Sequence, residues 1–314
     1  MTDSSRKRTE KNAGLDRQIA RLEGVRASRE EARASGNLKG QRVRTSAEKL
    51  LTRTTSGAIY AIVTLACLFA GPITTTVLVA AEAWLCCSEF FRICRMGGRM
   101  PNEIVGLAAA LLFPPAALWG GLLALTLVIF VLLMACACWY VFAPRANVAD
   151  VAVTAFGPIY TSLAFSAIVL VRKYDPGVDG ALVALAVMLS IMASDAFAYF
   201  VGSAIGAHKL APRISPNKSV EGFLGGLVGS VLVWIVIALL VVGEMGIPMA
   251  ALCGLVVGVA GVIGDLFESR LKRGAGVKDS GNILPGHGGL LDRSDSMLFG
   301  GVAAYFLLLF GGIL

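Results

Sequence analysis

From Gly57 to the C-terminus, long apolar runs alternate with short polar ones. The runs fall into nine segments: about 57–71, 73–91, 104–118, 120–142, 150–171, 180–203, 222–243, 247–267 and 296–314. A helix of about 20 apolar residues crosses the roughly 30 Å of bilayer hydrocarbon. The pattern therefore predicts an all-α polytopic membrane protein with about nine transmembrane helices. The first and third runs are short, and Gly71-Pro72 and Pro114-Pro115 mark expected kinks or re-entrant pieces, so the count is nine to within about one or two.

Composition agrees with that class. Of 314 residues, 56% are apolar and 16% charged, against about 45–50% and 25% in soluble domains. The 36 glycines are scattered through apolar runs without a triplet period, which excludes collagen-like and low-complexity chains. The charge is uneven: residues 1–53 hold 14 Lys and Arg against 7 Asp and Glu and so carry the whole formal charge of +7. The body, 54–314, is neutral, and nothing in it points to nucleic acid. The arm has no apolar core before residue 57, so it does not read as a cleaved signal peptide. Within it, Leu15, Ile19, Leu22 and Val25 recur at helical spacing, which fits a helix on an anionic leaflet or a solvated tail, followed by a Gly/Lys/Arg-rich connector. The seven cysteines lie in or beside apolar runs with no Cys-x-x-Cys, and read as apolar residues, not ligands.

Charge in the loops sets an expected orientation. With the basic arm in the cytoplasm and nine crossings, Arg92, Arg95, Arg99, Arg145, Lys209, Arg213, Lys218, Arg270, Lys272, Arg273, Lys278 and Arg293 lie inside. Outside lie only Arg172 and Lys173, balanced by Asp175 and Asp179. The expectation is a multi-pass protein of the cell (inner) membrane whose N-terminus and polar loops face the compartment of nucleoside triphosphates.

Beyond the arm, charge gathers in two of those inside loops, Gly202–Glu221 and Asp265–Asp295. Ionisable groups so close to hydrocarbon are costly and mark a site by default. Asp265, Asp292 and Asp295 are hard oxygen donors without a Cys or His cluster, which favours Mg²⁺. Lys272, Arg273, Lys278 and Arg293 suit phosphate oxygens. Gly288 and Gly289, beside His287, allow main-chain N–H groups to line a phosphate nest. In the other loop, Ser215, Lys218 and Ser219 can meet phosphate at a helix start, although Ser219 reads equally as an N-cap. Metal-binding acids, cations and a Gly-rich turn together suit phosphoryl or nucleotidyl transfer, and no Walker A motif is present.

The run Ser269-x-Leu271-Lys272-Arg273-x4-Lys278-Asp279-x-Gly281-x2-Leu284-Pro285-x-His287-Gly288-Gly289-Leu290-x-Asp292-Arg293-x-Asp295 resembles the signature of the phosphatidate cytidylyltransferases. Asp195-x-x-Ala198-Tyr199 and Ser215-Pro216-Asn217-Lys218-Ser219-x-Glu221-Gly222 are similar to that family's second motif region. Ser219 departs from the usual Thr but keeps the hydroxyl, and the arm lies outside the resemblance. The resemblance implies transfer of CMP from CTP to phosphatidic acid, giving CDP-diacylglycerol and pyrophosphate with Mg²⁺ and possibly a second cation. It makes Asp265 and Asp292 metal ligands with Asp295 close by, and turns Lys272, Arg273 and Lys278 toward phosphates. Asp195 and the 215–221 segment, including Ser215, Asn217, Lys218 and Glu221, complete the pocket. His287 shapes that pocket, since an ionised phosphate monoester needs no strong base. Glu89 reads foremost as an interfacial acid paired with Arg92 or Arg95, with reach to the site as the alternative, and Glu82 as a buried, paired acid. The rivals are a CTP-dependent polyprenol kinase, a related lipid cytidylyltransferase and, in another class, a transporter. Small-residue helix faces serve packing within one subunit or a homodimer.

Overall fold

The computed structural model describes residues 22–28, 37–243, 245–281, 283 and 288–314, with side chains at 22–28, 51 and from 53 onward. The chain divides into two units at Thr55/Ser56. In the first, residues 22–28 are an exposed helical stretch, with Leu22 and Val25 facing out. Leu15 and Ile19 of the expected amphipathic pattern lie outside the described residues. Helix α1 (Asn37–Ala70) begins within the expected connector, so helix replaces a Gly/Lys/Arg linker there.

The second unit holds the rest of α1 and, among the described residues, eight further α-helices. They are α2 (Pro72–Met96), α3 (Glu103–Phe142), α4 (Val148–Pro158), α5 (Ala164–Arg172), α6 (Val178–Ile205), α7 (Val220–Leu240), α8 (Ile247–Gly274) and α9 (Leu291–Phe310), with a π-turn at Ile159–Leu163 joining α4 to α5. Between α6 and α7 the expected loop contains a small antiparallel hairpin, β1 (Lys209–Ala211) and β2 (Ser215–Ser219). The architecture is otherwise helical, and α6 to α9 pack on one another in sequence order while α2 to α5 form a second packed group.

Among the described residues, seven helical stretches have the length and hydropathy to cross a membrane, with α3 counted once and the charged α2 left out. A straight 40-residue helix would reach about 60 Å, twice the hydrocarbon thickness, and α3 does not run straight. Its backbone leaves helical geometry at Gly121, with φ 60° and ψ −147°, where an L side chain would be strained. Contacts with the next hairpin give the direction of each half. Met100 N and Asn102 N donate to Asp150 Oδ1 and Thr154 Oγ1 (2.8 and 2.9 Å), near the start of α4. Lys173 Nζ, just past the end of α5, donates to the Ala117 carbonyl at 2.8 Å. Only residues 143–147 then lead back to α4, so the second half of α3 returns to the side it left. With α2, these reversals give nine crossings. The break between the runs 104–118 and 120–142 therefore falls at Gly121, within a residue or two of where the pattern sets it. The prolines stay within the helix, and the Ser162 hydroxyl donates to the Ala110 carbonyl (2.5 Å) that Pro114 leaves without an amide partner.

Beneath the polar end of the bundle, Phe90, Phe156, Tyr160, Phe267 and Phe299 form a continuous aromatic layer with ring centroids 5.0–6.2 Å apart. Offset and edge contacts of this kind fix ring positions more tightly than aliphatic packing does. The layer joins α2, α4, the π-turn, α8 and α9, and Glu268 and Asp295 stand next to it in the sequence of α8 and α9.

Candidate active site

Helical spacing assembles the site on α8. Asp265, Glu268, Ser269 and Lys272 recur at three- and four-residue intervals and share one face, and Ser269 Oγ donates to Asp265 Oδ1 at 3.2 Å. Arg273 sits one residue, about 100°, further round. It is exposed and donates to the Val277 carbonyl at 3.2 Å. On α9 the same spacing puts Asp292 and Asp295 on one side. The two helices meet closely at Gly264, where a Cβ would stand 2.4 Å from the Asp295 carbonyl oxygen. Only a glycine allows that approach, which brings Asp265 beside Asp295.

Asp292 is a hub. Its Oδ1 accepts Lys272 Nζ at 2.6 Å and Ser280 N at 3.2 Å, and its Oδ2 accepts Ser280 N at 3.0 Å and Gly289 N at 2.9 Å. At the first turn of α9 a negative charge also faces the positive end of the helix dipole. Lys272 serves a second acid as well, ion-pairing with Glu268, which is only 1% exposed. From α2, the buried Glu89 Oε2 accepts Ser280 Oγ at 2.9 Å and Leu291 N at 2.8 Å, and Arg92 donates to the Ser280 carbonyl. Glu89 therefore does not form the expected pair with Arg92 or Arg95, because two donors from the loop claim its carboxylate. Arg95 pairs with Glu103 instead.

The hairpin brings in the other loop. Lys218 Nζ on β2 reaches Asp265 Oδ2 at 2.5 Å. Ser219 Oγ accepts Gly222 N at 3.1 Å, so the expected cap of α7 is made. Glu221 is turned away by His208, whose Nδ1 lies 2.6 Å from Glu221 Oε1 and whose backbone N–H, with that of Ala207, also donates to the carboxylate.

These elements enclose two adjoining cavities. One, of about 290 Å³, is lined by Asp195, Asp265, Lys272, Asp279, Asp292, Arg293 and Asp295. The other, of about 460 Å³, shares Asp195 and Asp265 and adds Asn217, Lys218, Ser219 and the apolar Leu210, Phe223 and Val262 among others. Of the residues expected at the site, Arg273, Lys278, Ser215 and Glu221 line neither. Arg273 and Lys278 are exposed, Ser215 lies at the far end of the short β2, and Glu221 is held by the His208 turn. Gly288 and Gly289 lie against Asp292, and His287 falls outside the described residues. Glu268 and Asp279 were not singled out for the site, and Glu89 was given to it only as the alternative to an ion pair. The i, i+4 pairing of Glu268 with Lys272 was the available signal for Glu268.

The smaller cavity sets five carboxylates against two cations. That surplus of hard oxygen donors suits a divalent cation and would repel a polyphosphate without one. Asp195, Asp265 and Asp295 lie within electrostatic range of one another. Among the described residues, no three acidic, His or Cys side chains are close enough to hold an ion alone. Mg²⁺ characteristically uses one or two carboxylates and completes its shell with water and substrate phosphate, so the donor set fits that ion.

Comparison with known proteins gives consistent matches. The model of the cytidylyltransferase family matches residues 51–310. The chain is 45% identical over 138 residues to a phosphatidate cytidylyltransferase of Staphylococcus haemolyticus (strain JCSC1435), covering 44% of this chain and 53% of that protein. It is 45% identical over 152 residues to the protein of that name from Bacillus subtilis (strain 168), covering 48% and 55%. To the one from Mycobacterium leprae (strain TN) it is 42% identical over 161 residues, covering 51% and 49%. The chain spans about half the length of the curated relatives it matches.

Proposed function

The chain belongs to the cytidylyltransferase family, and on that premise we propose that it transfers the CMP moiety of CTP to phosphatidic acid, forming CDP-diacylglycerol and pyrophosphate. The observation that carries this reading is the paired cavity. Lys218, Lys272 and Arg293 stand among Asp195, Asp265, Asp292 and Asp295 at one end of an apolar bundle, where a water-soluble polyphosphate and a lipid phosphate can meet. By the distribution of basic loops, that end faces the cytoplasm.

The reaction is an in-line displacement. A phosphatidate oxygen attacks the α-phosphorus, the bond to the bridging oxygen breaks, and pyrophosphate leaves with the electron pair. A phosphate monoester, with a second pKa of about 6, is already mostly ionised at neutral pH, so the chain need only position the reactants and balance charge. Lys218 and Arg293 supply cations at the cavity wall. Lys272, held between Glu268 and Asp292, keeps those acids from repelling the incoming phosphates outright. Asp265 and Asp295, with Asp195 beside them, would hold Mg²⁺. The oxygens of Asp292 are already occupied by Lys272 and two backbone amides, so its role is to organise the loop. Bound there, Mg²⁺ supplies charge neutralisation and polarisation at the phosphates.

Purified protein given α-labelled CTP, phosphatidate and Mg²⁺ is expected to yield labelled CDP-lipid and unlabelled pyrophosphate, with turnover lost in EDTA and restored by excess Mg²⁺. Asp292→Asn should lower kcat by about 100-fold or more. Release of labelled CDP would identify a kinase, and solute flux without CTP turnover a transporter. Either result refutes the proposal.

A further inference from the structure

A third cavity, of about 320 Å³, lies deeper in the bundle, walled by α1, α2, α5, α6 and α9. Its lining is mostly apolar, and it shares Arg293 with the polar cavity above it, so the two adjoin. Among the described residues of α1, only Thr64 and Leu68 are buried. With Tyr60 they form an i, i+4, i+8 stripe that faces this space. Helix α1 thus meets the bundle chiefly across the cavity. Met192 of the lining is 62% exposed on the outer, lipid-facing surface, so the space reaches the side of the bundle as well as the site.

One wall is polar without apparent need. Glu82 is 8% and Thr64 9% exposed, and Glu82 Oε1 and Thr64 Oγ1 have no hydrogen-bond partner. The Tyr60 hydroxyl faces the Glu82 carboxyl. Buried polar atoms at membrane depth are costly unless something pairs with them. Glu82 lies two turns, about 10 Å, below Glu89 along α2, and so below the loop it secures.

We infer that this cavity binds the diacylglyceryl part of the lipid acceptor, with the acyl chain against the apolar lining and the glycerol ester carbonyls at Tyr60, Thr64 and Glu82. The choice of lipid rests on the function proposed above. Phosphatidate has a charged end for the Arg293 side, two acceptor carbonyls a few bonds deeper and chains beyond them, the order in which the cavity presents cation, polar patch and apolar wall. The Tyr60 and Thr64 hydroxyls offer O–H donors to those carbonyls, with the Glu82 carboxyl beside them. A cavity of this volume falls within the range of small-molecule sites.

The test combines binding and kinetics in nanodiscs containing the full chain. Phosphatidate carrying a photoreactive diazirine in one acyl chain should label peptides containing Tyr60 or Met297, and unlabelled phosphatidate should compete. Labelling confined to outer helix faces overturns the inference. Labelling of these peptides by a protein that makes no CDP-lipid supports the lipid site and refutes the transferase reading, so the two failures are distinct. In the kinetics, Glu82→Leu should raise KM for dioleoyl phosphatidate about tenfold with KM for CTP unchanged. Glu82→Gln, which keeps a polar side chain, should restore most of the loss. Val79→Phe, which fills the cavity from the apolar side, should also raise the lipid KM alone. An unchanged lipid KM in a folded Val79→Phe protein, or equal shifts for both substrates, overturns the inference.

Discussion

Lys272 is a single cation serving two acids, one of them almost fully buried. Its removal strands Glu268 and Asp292 together, and breaking a buried pair from one side costs about 3–5 kcal/mol. Lys272→Met should therefore lower the melting temperature in detergent sharply, and the double variant with Glu268→Gln should recover part of it. Glu89 acts differently, since it touches the loop's ends and not the cavity. Glu89→Ala should leave the fold intact but cost about 100-fold in kcat, the scale expected when supporting geometry shifts by about 1 Å, with KM for either substrate little changed. Asp265, Lys272, Asp292 and Asp295 were legible in the sequence because an acid or cation at a predicted membrane boundary has few bland explanations. Glu89 was legible only as an alternative, because nearby arginines offered an adequate partner in sequence and only the tertiary fold brings Ser280 and Leu291 to it. Arg273 shows the converse: a motif position records a residue type, while helix phase decides which side chain turns inward, and Lys278, past the end of α8, is exposed.

At the scale of elements, the close approach of α8 and α9 depends on a missing side chain. Gly264→Val adds atoms where even a Cβ lies 2.4 Å from the Asp295 carbonyl. Overpacking of this kind costs about 1–3 kcal/mol, and it separates Asp265 from Asp295. Activity at low Mg²⁺ should fall further than activity at saturating Mg²⁺, which a titration of rate against Mg²⁺ would show. The apolar runs located most helices from sequence, because hydrocarbon thickness fixes their length. The gap between the runs at 118 and 120 also located the reversal in α3, where Gly121 supplies the backbone angle that a turn without a loop requires. The two prolines do not end the helix, because a hydroxyl from a neighbouring helix compensates for Pro114. The hairpin at 209–219 was hidden by its brevity and by the proline and glycine around it.

For the whole molecule, nine crossings put Arg99 and Arg145 at one face and Trp119 and Tyr174, both exposed, at the other. Single cysteines at these positions in a cysteine-free background should label as two pairs with a membrane-impermeant maleimide, and any other pairing would revise the topology. The sorting of basic loops is read from charge asymmetry in the sequence, and this labelling is its test. The sequence did not foretell which helix supports the reactive loop. That helix is α2, whose charges kept it apart from the uniformly apolar spans and whose Glu89 grips both ends of the segment from Ser280 to Leu291. One carboxylate oxygen holds Ser280 and Leu291 together, so a bilayer thickness that slides α2 along its axis loads both contacts at once.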